Sequence, residues 1–433
     1  MRHFRSSLLP ALIMLVLTSV SASAAEYMDT VLIPSRAVFL VGNTPDGLTD
    51  HQPLISILYS TEDLHFNDPR APRFLFIDRQ GRLAMGIGGY VKGTMQYDMD
   101  GAINNGSNFN TINIPVPANP ALRNQFYASA AKTTIFLRVV GHTGLGDFSA
   151  YVQTDFSGGG LGAYQMKLKQ ANIMLGNVTV GLARSTFVDA SAGVPVIDDA
   201  GPAGQNSGEN VLVQYRPHLA HGFTLAVSAE MPRATYTTGS DAMSINQRIP
   251  DIPAYVQYSW VNGSHVRLSG IMRQLSYRDL VTGKNEFAPG WGVMLSGVAK
   301  VYGGLQLYWQ GTYGKGIARY LQDLGGAGFD LIESPDSPGH MIAPGTLGIV
   351  AGLQYNFSSK FFMSASFSES RLYNQRSLGG DTYRDGQYYV VNGFYNILPD
   401  LQVGAEYLHG ERTNVDSQSG HANRVMAMLK YSF

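Results

Sequence analysis

The chain has 433 residues, with 49 glycines, 24 tyrosines and no cysteine, and its formal net charge is -1. This weakly acidic balance gives no support to nucleic-acid binding, and the lack of cysteine excludes disulfides and a lipid anchor on cysteine. Charged residues make up only 15% of the chain, against about 25% in globular domains.

The first 24 residues have the three parts of a secretory signal peptide. Two arginines give a positive start, residues 8–20 are apolar, and residues 22–24 form a small-residue cleavage site. We expect cleavage after Ala24 or Ala25, and a retained anchor is the alternative. Removing the two arginines changes the formal charge from -1 to -3.

Residues 25–81 do not alternate cleanly and contain five prolines, at positions 34, 45, 53, 69 and 72. We interpret them as a periplasmic extension. It could pack under the following domain, enter it as a plug or be mobile, and the sequence does not choose between these. After residue 20 no apolar run approaches the roughly 20 residues that a membrane-spanning helix needs.

From Arg82 onward, apolar and polar residues alternate with a period of two, which is typical of β-strands. In residues 83–98 the odd positions are mostly apolar, whereas Lys92, Thr94, Gln96 and Asp98 occupy even positions. An exported, glycine- and tyrosine-rich chain with this alternation predicts an all-β fold, a transmembrane antiparallel β-barrel of residues 82–433. A large secreted β-sandwich is the soluble alternative, but a sandwich of this length would need linkers, and none follows Arg82.

The alternation predicts 16 strands. Their connections alternate between long and short along most of the chain, as expected for extracellular loops and periplasmic turns, and an even number places both ends in the periplasm. The connection at 157–162 is short, so a miscounted hairpin stays open. The last strand ends at Phe433 and resembles the signal that the barrel-assembly machinery reads. The predicted strands are 83–98, 132–141, 146–156, 163–175, 178–184, 209–216, 222–230, 252–260, 265–277, 287–300, 304–316, 345–357, 361–373, 384–396, 401–412 and 422–433.

Strand parity assigns many basic side chains to the lumen. An arginine or lysine on the lipid face at mid-bilayer would cost about 2–4 kcal/mol, which favours inward placement. The residues assigned in this way are Arg138, Lys167, Lys169, Arg216, Arg267, Arg273 and Arg424.

The stretch that follows the fifth predicted strand is a long, semi-apolar loop with three acids, and we expect it to fold back into the lumen as the third extracellular loop. Asp189, Asp198 and Asp199 would form the acidic side of a constriction facing Arg138, Lys167, Lys169 and Arg216. A basic wall guides counter-ions, so the sequence favours anionic solutes. The alternative is that these charges pair with one another and only fill the lumen.

No motif indicates an enzyme, a metal site or a cofactor. His218 and His221 lie in a predicted turn without a third ligand in reach, and the acids at 330, 333 and 336 do not have the spacing of an EF-hand loop. Gly158–Gly160 lacks the strand–helix context of a phosphate-binding loop. We therefore predict no catalytic residues, no metal and no cofactor.

Four stretches of the chain form a recognisable set. They are Gly88-Gly89-Tyr90-Val91-Lys92, Leu137-Arg138-Val139, 150–156 and the spacing Ser185-Thr186-Phe187-Val188-Asp189, Pro195, Asp198, Gly201-Pro202. Together they resemble the DcaP-like outer-membrane porins. The resemblance implies a trimer of 16-stranded barrels, each narrowed by an infolded third loop, that takes up small carboxylates, dicarboxylates above all. It places Ser185, Phe187, Asp189, Asp198 and Pro202 at or beside that loop.

Two departures from that family matter. Arg184 stands where an aromatic residue usually precedes the serine, so we expect Arg184 to influence which anion passes. Residues 25–81 also lack the heptads of a coiled coil that some members carry.

The sequence thus predicts a homotrimeric porin of the Gram-negative outer membrane, in contact with lipid, that lets small anionic solutes such as (di)carboxylates diffuse passively. A closed barrel acting as an adhesin or structural platform, with loops 100–131 and 317–343 as its binding surface, is the alternative. An outer-membrane hydrolase is a third hypothesis. Recording from planar bilayers separates an open channel from a closed barrel.

Overall fold

The computed structural model describes residues 83–101, 106–160, 162–217, 219, 222–373 and 376–433, and four short strands before residue 83. The predicted signal peptide, most of the predicted extension, and His218 and His221 lie outside the described residues. Val31–Ile33 pairs in parallel with Ile57–Tyr59, and Val38–Phe39 with Phe74–Ile77. Phe74–Ile77 also pairs with the start of the first barrel strand, so this part of the extension adds a short strand to the barrel sheet there.

Sixteen long strands close an antiparallel β-barrel, in which each strand pairs with its neighbour in the chain and the last strand pairs with the first. The predicted number and order of strands are confirmed. The strands are β1 Leu83–Asp100, β2 Thr134–Thr143, β3 Gly146–Gly158, β4 Gln165–Leu175, β5 Val178–Arg184, β6 Glu209–Tyr215, β7 Phe223–Glu230, β8 Ile252–Ser259, β9 His265–Asp279, β10 Asn285–Lys300, β11 Leu305–Lys315, β12 Gly345–Asn356, β13 Phe361–Tyr373, β14 Tyr383–Leu398, β15 Leu401–Asn414 and β16 Ser419–Ser432.

Most strands have one apolar, exposed face and one more buried face, whereas β4 and β5 contain no fully buried residue. In β1, Val91 and Met95 are 51% and 59% exposed, whereas Thr94, Gln96 and Asp98 are buried. In a bilayer the apolar face contacts lipid, and a closed barrel pairs the backbone N–H and C=O groups that lipid cannot satisfy. The apolar face is therefore the outer face of the barrel, and the buried polar residues line the inner face.

One end of the barrel carries the four longest connections, residues 101–133, 185–208, 231–251 and 316–344, and the other end has short turns. The predicted hairpin turn at Asn262-Gly263 is present, and Gly263 adopts a φ of 81°, which favours glycine. Short additional strands extend the sheet at Gln125–Ser129, which pairs with β1, and Ala242–Ser244, which pairs with β9. Residues 236–237, 331–333 and 341–342 form a separate three-stranded sheet.

Helical structure in the described part of the chain is confined to three-residue 3-10 turns at Thr111–Asn113, Pro120–Leu122, Ala190–Ala192, Tyr302–Gly304 and Ala318–Tyr320. None of the helices in these residues is long and apolar enough to span a membrane.

Candidate functional site

The connection between β5 and β6, residues 185–208, contacts inner-face residues on β1, β9 to β11 and β13 to β15. Its first anchor is Asp189, whose side chain is fully buried. One carboxylate oxygen of Asp189 lies 2.9 Å from His265 Nε2 and accepts a hydrogen bond from Ser296 Oγ at 2.7 Å. Burial disfavours the charge of Asp189, but the hydrogen bond from His265 and the nearby Arg267 outweigh it and lower the pKa of Asp189 well below its usual range.

The second anchor is Glu406 on β15, which holds the middle of the connection. Its two carboxylate oxygens accept hydrogen bonds from the backbone N–H groups of Ile197 at 2.6 Å and Asp198 at 2.8 Å. Asp199 forms an ion pair with Lys92 Nζ of β1 at 2.7 Å. The middle of the connection is therefore fixed to strands at the closure of the barrel.

The third anchor is made by the returning half of the connection. The backbone N–H of Gly204 donates to Ser368 Oγ at 2.7 Å, and that of Asn206 donates to Gln310 Oε1 at 3.1 Å. A Cβ at Gly204 would lie 2.2 Å from the carbonyl oxygen of Glu369, so only glycine permits this close approach of the backbone to β13.

These contacts correct the predicted arrangement of the acids. Asp189, Asp198 and Asp199 were expected to face Arg138, Lys167, Lys169 and Arg216, but they are engaged with β1, β9, β10, β14 and β15. The physical reason is burial: a carboxylate removed from water needs donors or a cation close by, and the wall on which the connection lies supplies them. The acids therefore hold the connection in place.

Two further segments pack against the inner face, and the sequence patterns did not indicate either of them. Residues 106–114 meet Arg424, whose buried guanidinium donates to the Asn108 carbonyl at 3.0 Å and pairs with both oxygens of Asp98. Residues 317–333 meet Arg273, whose guanidinium lies 3.1 Å from both Asp251 and Asp330.

Arg273 and Arg424, which we expected along the solute path, are thus buried among anchoring groups with fully buried side chains. Arg267 has a similar anchoring role. Its guanidinium donates to the Val188 carbonyl at 3.0 Å and to Gln257 Oε1, and it stacks 4.1 Å from the ring centre of Tyr255. These three arginines connect loops to the wall, which accounts for their inward parity.

Arg138, Lys167 and Arg216 lie on the arc of the barrel from β2 to the end of β6. Arg138 has the parity of the buried Phe136 and Val140, opposite to the exposed Ile135. Lys167 pairs in register with the buried Asp155, and an Arg216 Nη donates to Met174 Sδ at 3.9 Å. The anchors of residues 185–208 described above lie on β1, β9 to β11, β13 and β15, so these three cations lie on strands that carry none of those anchors.

Lys169 and Arg184 do not lie on that inner face. Arg184 pairs with Glu209 and has the parity of the exposed Val180. Lys169 is the extra residue of a bulge between β3 and β4, and its ammonium lies 3.8 Å from Glu209. The structure therefore groups Lys169, Glu209 and Arg184 on the outer side of the barrel, because a bulge shifts the alternation by one residue.

Comparison with known proteins shows what this barrel resembles. Residues 80–235, about a third of the chain, match the model of the DcaP outer membrane protein family. The predicted resemblance to DcaP-like proteins is confirmed, and the barrel fold is shared with solved outer-membrane channels. No curated protein matches the chain.

Several solved structures share the barrel fold. The outer membrane channel DcaP of Acinetobacter baumannii superposes with a TM-score of 0.70 and 20% identity, over 82% of this chain and 98% of the other. The anion-selective porin from Comamonas acidovorans gives 0.53 and 11% identity, over 81% and 100%. The trimer form of OmpT from Vibrio cholerae gives 0.50 and 11%, over 81% and 100%. At these identities, the likeness concerns the fold.

One anchor of the DcaP-like barrel should respond to pH. Burial and the neighbouring Glu406 raise the pKa of Asp198 to about 8. Neutral Asp198 therefore stabilises the anchor fully below its ordinary pKa of about 4, and this stabilisation is lost as pH rises through the folded value. We expect limited proteolysis of residues 185–208 to accelerate between pH 6 and pH 9.

The matched variants are Asp198→Asn, which cannot ionise, and Asp199→Asn, which removes the ion pair with Lys92 but leaves Asp198 titratable. Cleavage should lose its pH dependence in Asp198→Asn and keep it in Asp199→Asn. An unchanged pH profile in Asp198→Asn would contradict the assignment.

Proposed function

We propose that this protein is a passive diffusion channel for small hydrophilic solutes, with a preference for anions such as mono- and dicarboxylates. One observation carries the proposal: Arg138, Lys167 and Arg216 lie on the arc from β2 to β6, while the acids of residues 185–208 are engaged with strands outside that arc. Basic side chains along a narrow path attract anions and raise their local concentration.

The connection of residues 185–208, together with segments 106–114 and 317–333, would narrow the lumen and leave the solute path beside the basic arc. This arrangement differs from a transverse field, in which acids face bases across the path. Because the acids of residues 185–208 are occupied by partners in the wall, they would not oppose the cations across the path. Selectivity for anions should accordingly be stronger than an acid–base constriction would give.

We further propose that the channel is a homotrimer in the outer membrane, exported with a signal peptide that is cleaved after Ala24 or Ala25 and inserted by the barrel-assembly machinery. The similar fold of the OmpT trimer form supports the oligomeric state. The mass of the cross-linked protein in detergent and the mass of its mature N-terminus test these two points separately.

The deciding experiment is recording from planar bilayers under a salt gradient, followed by addition of a panel of mono- and dicarboxylates. We expect a reversal potential of the sign that marks anion selectivity, and block of the current that increases from mono- to dicarboxylates. A lack of conductance would contradict the channel, and clear cation selectivity would contradict the charge assignment.

A further inference from the structure

A groove on the outer face of the barrel crosses strands β11 to β15. Its volume is about 560 Å³, within the range of about 300–1,000 Å³ of ligand pockets. Ala351 and Ala365 form its floor, and Leu353, Phe367, Tyr389 and Tyr407 form its sides. Because small residues on two adjacent strands are surrounded by large ones, the groove is elongated and apolar.

The groove lies within the apolar outer face that contacts lipid. Register pairs Ala351 with Phe367 and Leu353 with Ala365, so the two alanines lie diagonally across β12 and β13. Leu353 is 45% exposed and Tyr407 is 41% exposed. In the membrane, lipid hydrocarbon therefore contacts this groove.

Charged residues lie directly beyond the groove, toward the end of the barrel with the long connections. On β13, Glu369 and Arg371 continue the outward face after Phe367, and their side chains pair at 3.1 Å. On β14, Arg384 pairs with Asp385 at 2.7 Å. Both guanidinium-bearing side chains are 38% exposed. This group leaves guanidinium donors accessible at one end of an apolar groove.

A second polar network begins at the side of the groove, at Tyr407. The hydroxyl of Tyr407 donates to Asn423 Oδ1 at 2.7 Å, and His409 Nδ1 lies 2.8 Å from the same oxygen. Asn423 Nδ2 donates to Asp100 at 2.7 Å. Polar groups in contact with hydrocarbon are costly, so this network marks the level at which hydrocarbon gives way to headgroups.

We propose that the groove binds an acyl chain of a phosphorylated lipid of the lipid A class in the outer leaflet, with a phosphate of that lipid against Arg371 and Arg384. The long-connection end faces the outside in bacterial barrels, which places the charged group in the outer leaflet. Guanidinium groups bind phosphate in a bidentate manner and have five donors, so Arg371 and Arg384 can each keep a carboxylate partner while they bind phosphate.

Native mass spectrometry of the delipidated full-length protein in detergent tests this proposal, with hexa-acylated lipid A as the probe and the same lipid with its phosphates removed as the comparison lipid. We expect one saturable lipid A adduct per chain. Ala365→Phe fills the groove and should weaken the adduct by about tenfold or more, because the loss of two buried methylenes already has that effect. Ala229→Phe, at an exposed position of the outward face of β7, is the matched control and should bind as the unaltered protein does.

The headgroup is tested by Arg371→Gln with Arg384→Gln, which should weaken the lipid A adduct but not the weaker adduct of dephosphorylated lipid A. Equal binding by Ala365→Phe and Ala229→Phe would overturn the site, and equal binding of both lipids by the unaltered protein would overturn the phosphate assignment. A loss of oligomers in Ala365→Phe without loss of lipid would show that a second copy covers the groove, which also overturns the proposal. Bilayer conductance of the same variants is a separate readout that reports on the channel alone.

Discussion

Combining Arg138→Glu with Arg216→Glu should move the reversal potential of the channel toward cation selectivity. The two changes replace two positive charges by two negative ones on the arc from β2 to β6, where basic side chains line the proposed path. The acids at 189, 198 and 199 contribute little to this field, since they are engaged with groups elsewhere in the barrel. The measurement is the reversal potential in planar bilayers under a salt gradient.

The matched control is Arg184→Glu, which makes the same charge change per residue, half that of the double variant, on the outer side of the barrel and should leave the reversal potential nearly unchanged. The sequence alone predicted a role for Arg184 in the path, so this comparison separates the two assignments. A reversal potential that stays the same in the double variant, or that shifts equally in Arg184→Glu, would contradict the basic arc as the solute path.

The largest loss of stability is expected for Arg273→Met. The guanidinium of Arg273 is completely buried, lies 3.1 Å from both Asp251 and Asp330, and donates to the carbonyls of Gly316 and Arg233. Removing it leaves two buried carboxylates without their cation, which costs about 3–5 kcal/mol. Urea unfolding followed by tryptophan fluorescence measures the loss.

Two further variants make the test specific. Arg273→Met combined with Asp251→Asn and Asp330→Asn removes the uncompensated charges and should recover a large part of the stability. Arg248→Met changes an exposed arginine in the neighbouring connection and should have little effect. If the triple variant were no more stable than Arg273→Met alone, the ion pairs would not be the cause.

Much of the fold could be predicted because lipid imposes a simple pattern on each strand. Apolar residues such as Val91 and Met95 must face outward, so the alternation alone reveals the strands, their number and their faces. The same reasoning put Arg273 and Arg424 on the inner face correctly. It could not reveal that they are buried, because their partners belong to loops that lie far away in the sequence.

Contacts between distant parts of the chain also account for the wrong arrangement of the acids. Asp198 and Glu406 are 208 positions apart, and no local pattern indicates that they meet. The misplacement of Arg184, by contrast, could have been avoided, since it shares its parity with Val178 and Val180 on the apolar face. For Lys169, the change of apolar parity between Leu168 and Ile173 was a visible sign of the bulge.

The position of the second anchor has a consequence for assembly. Residues 197–199 are held by Glu406 on β15 and Lys92 on β1, and these strands flank the seam at which β16 joins the last part of the chain to the first. The anchor can therefore be completed only when the seam closes. Residues 197–199 therefore bridge the seam. Removing their contacts should first change the rate at which the barrel closes and the rate at which it reopens.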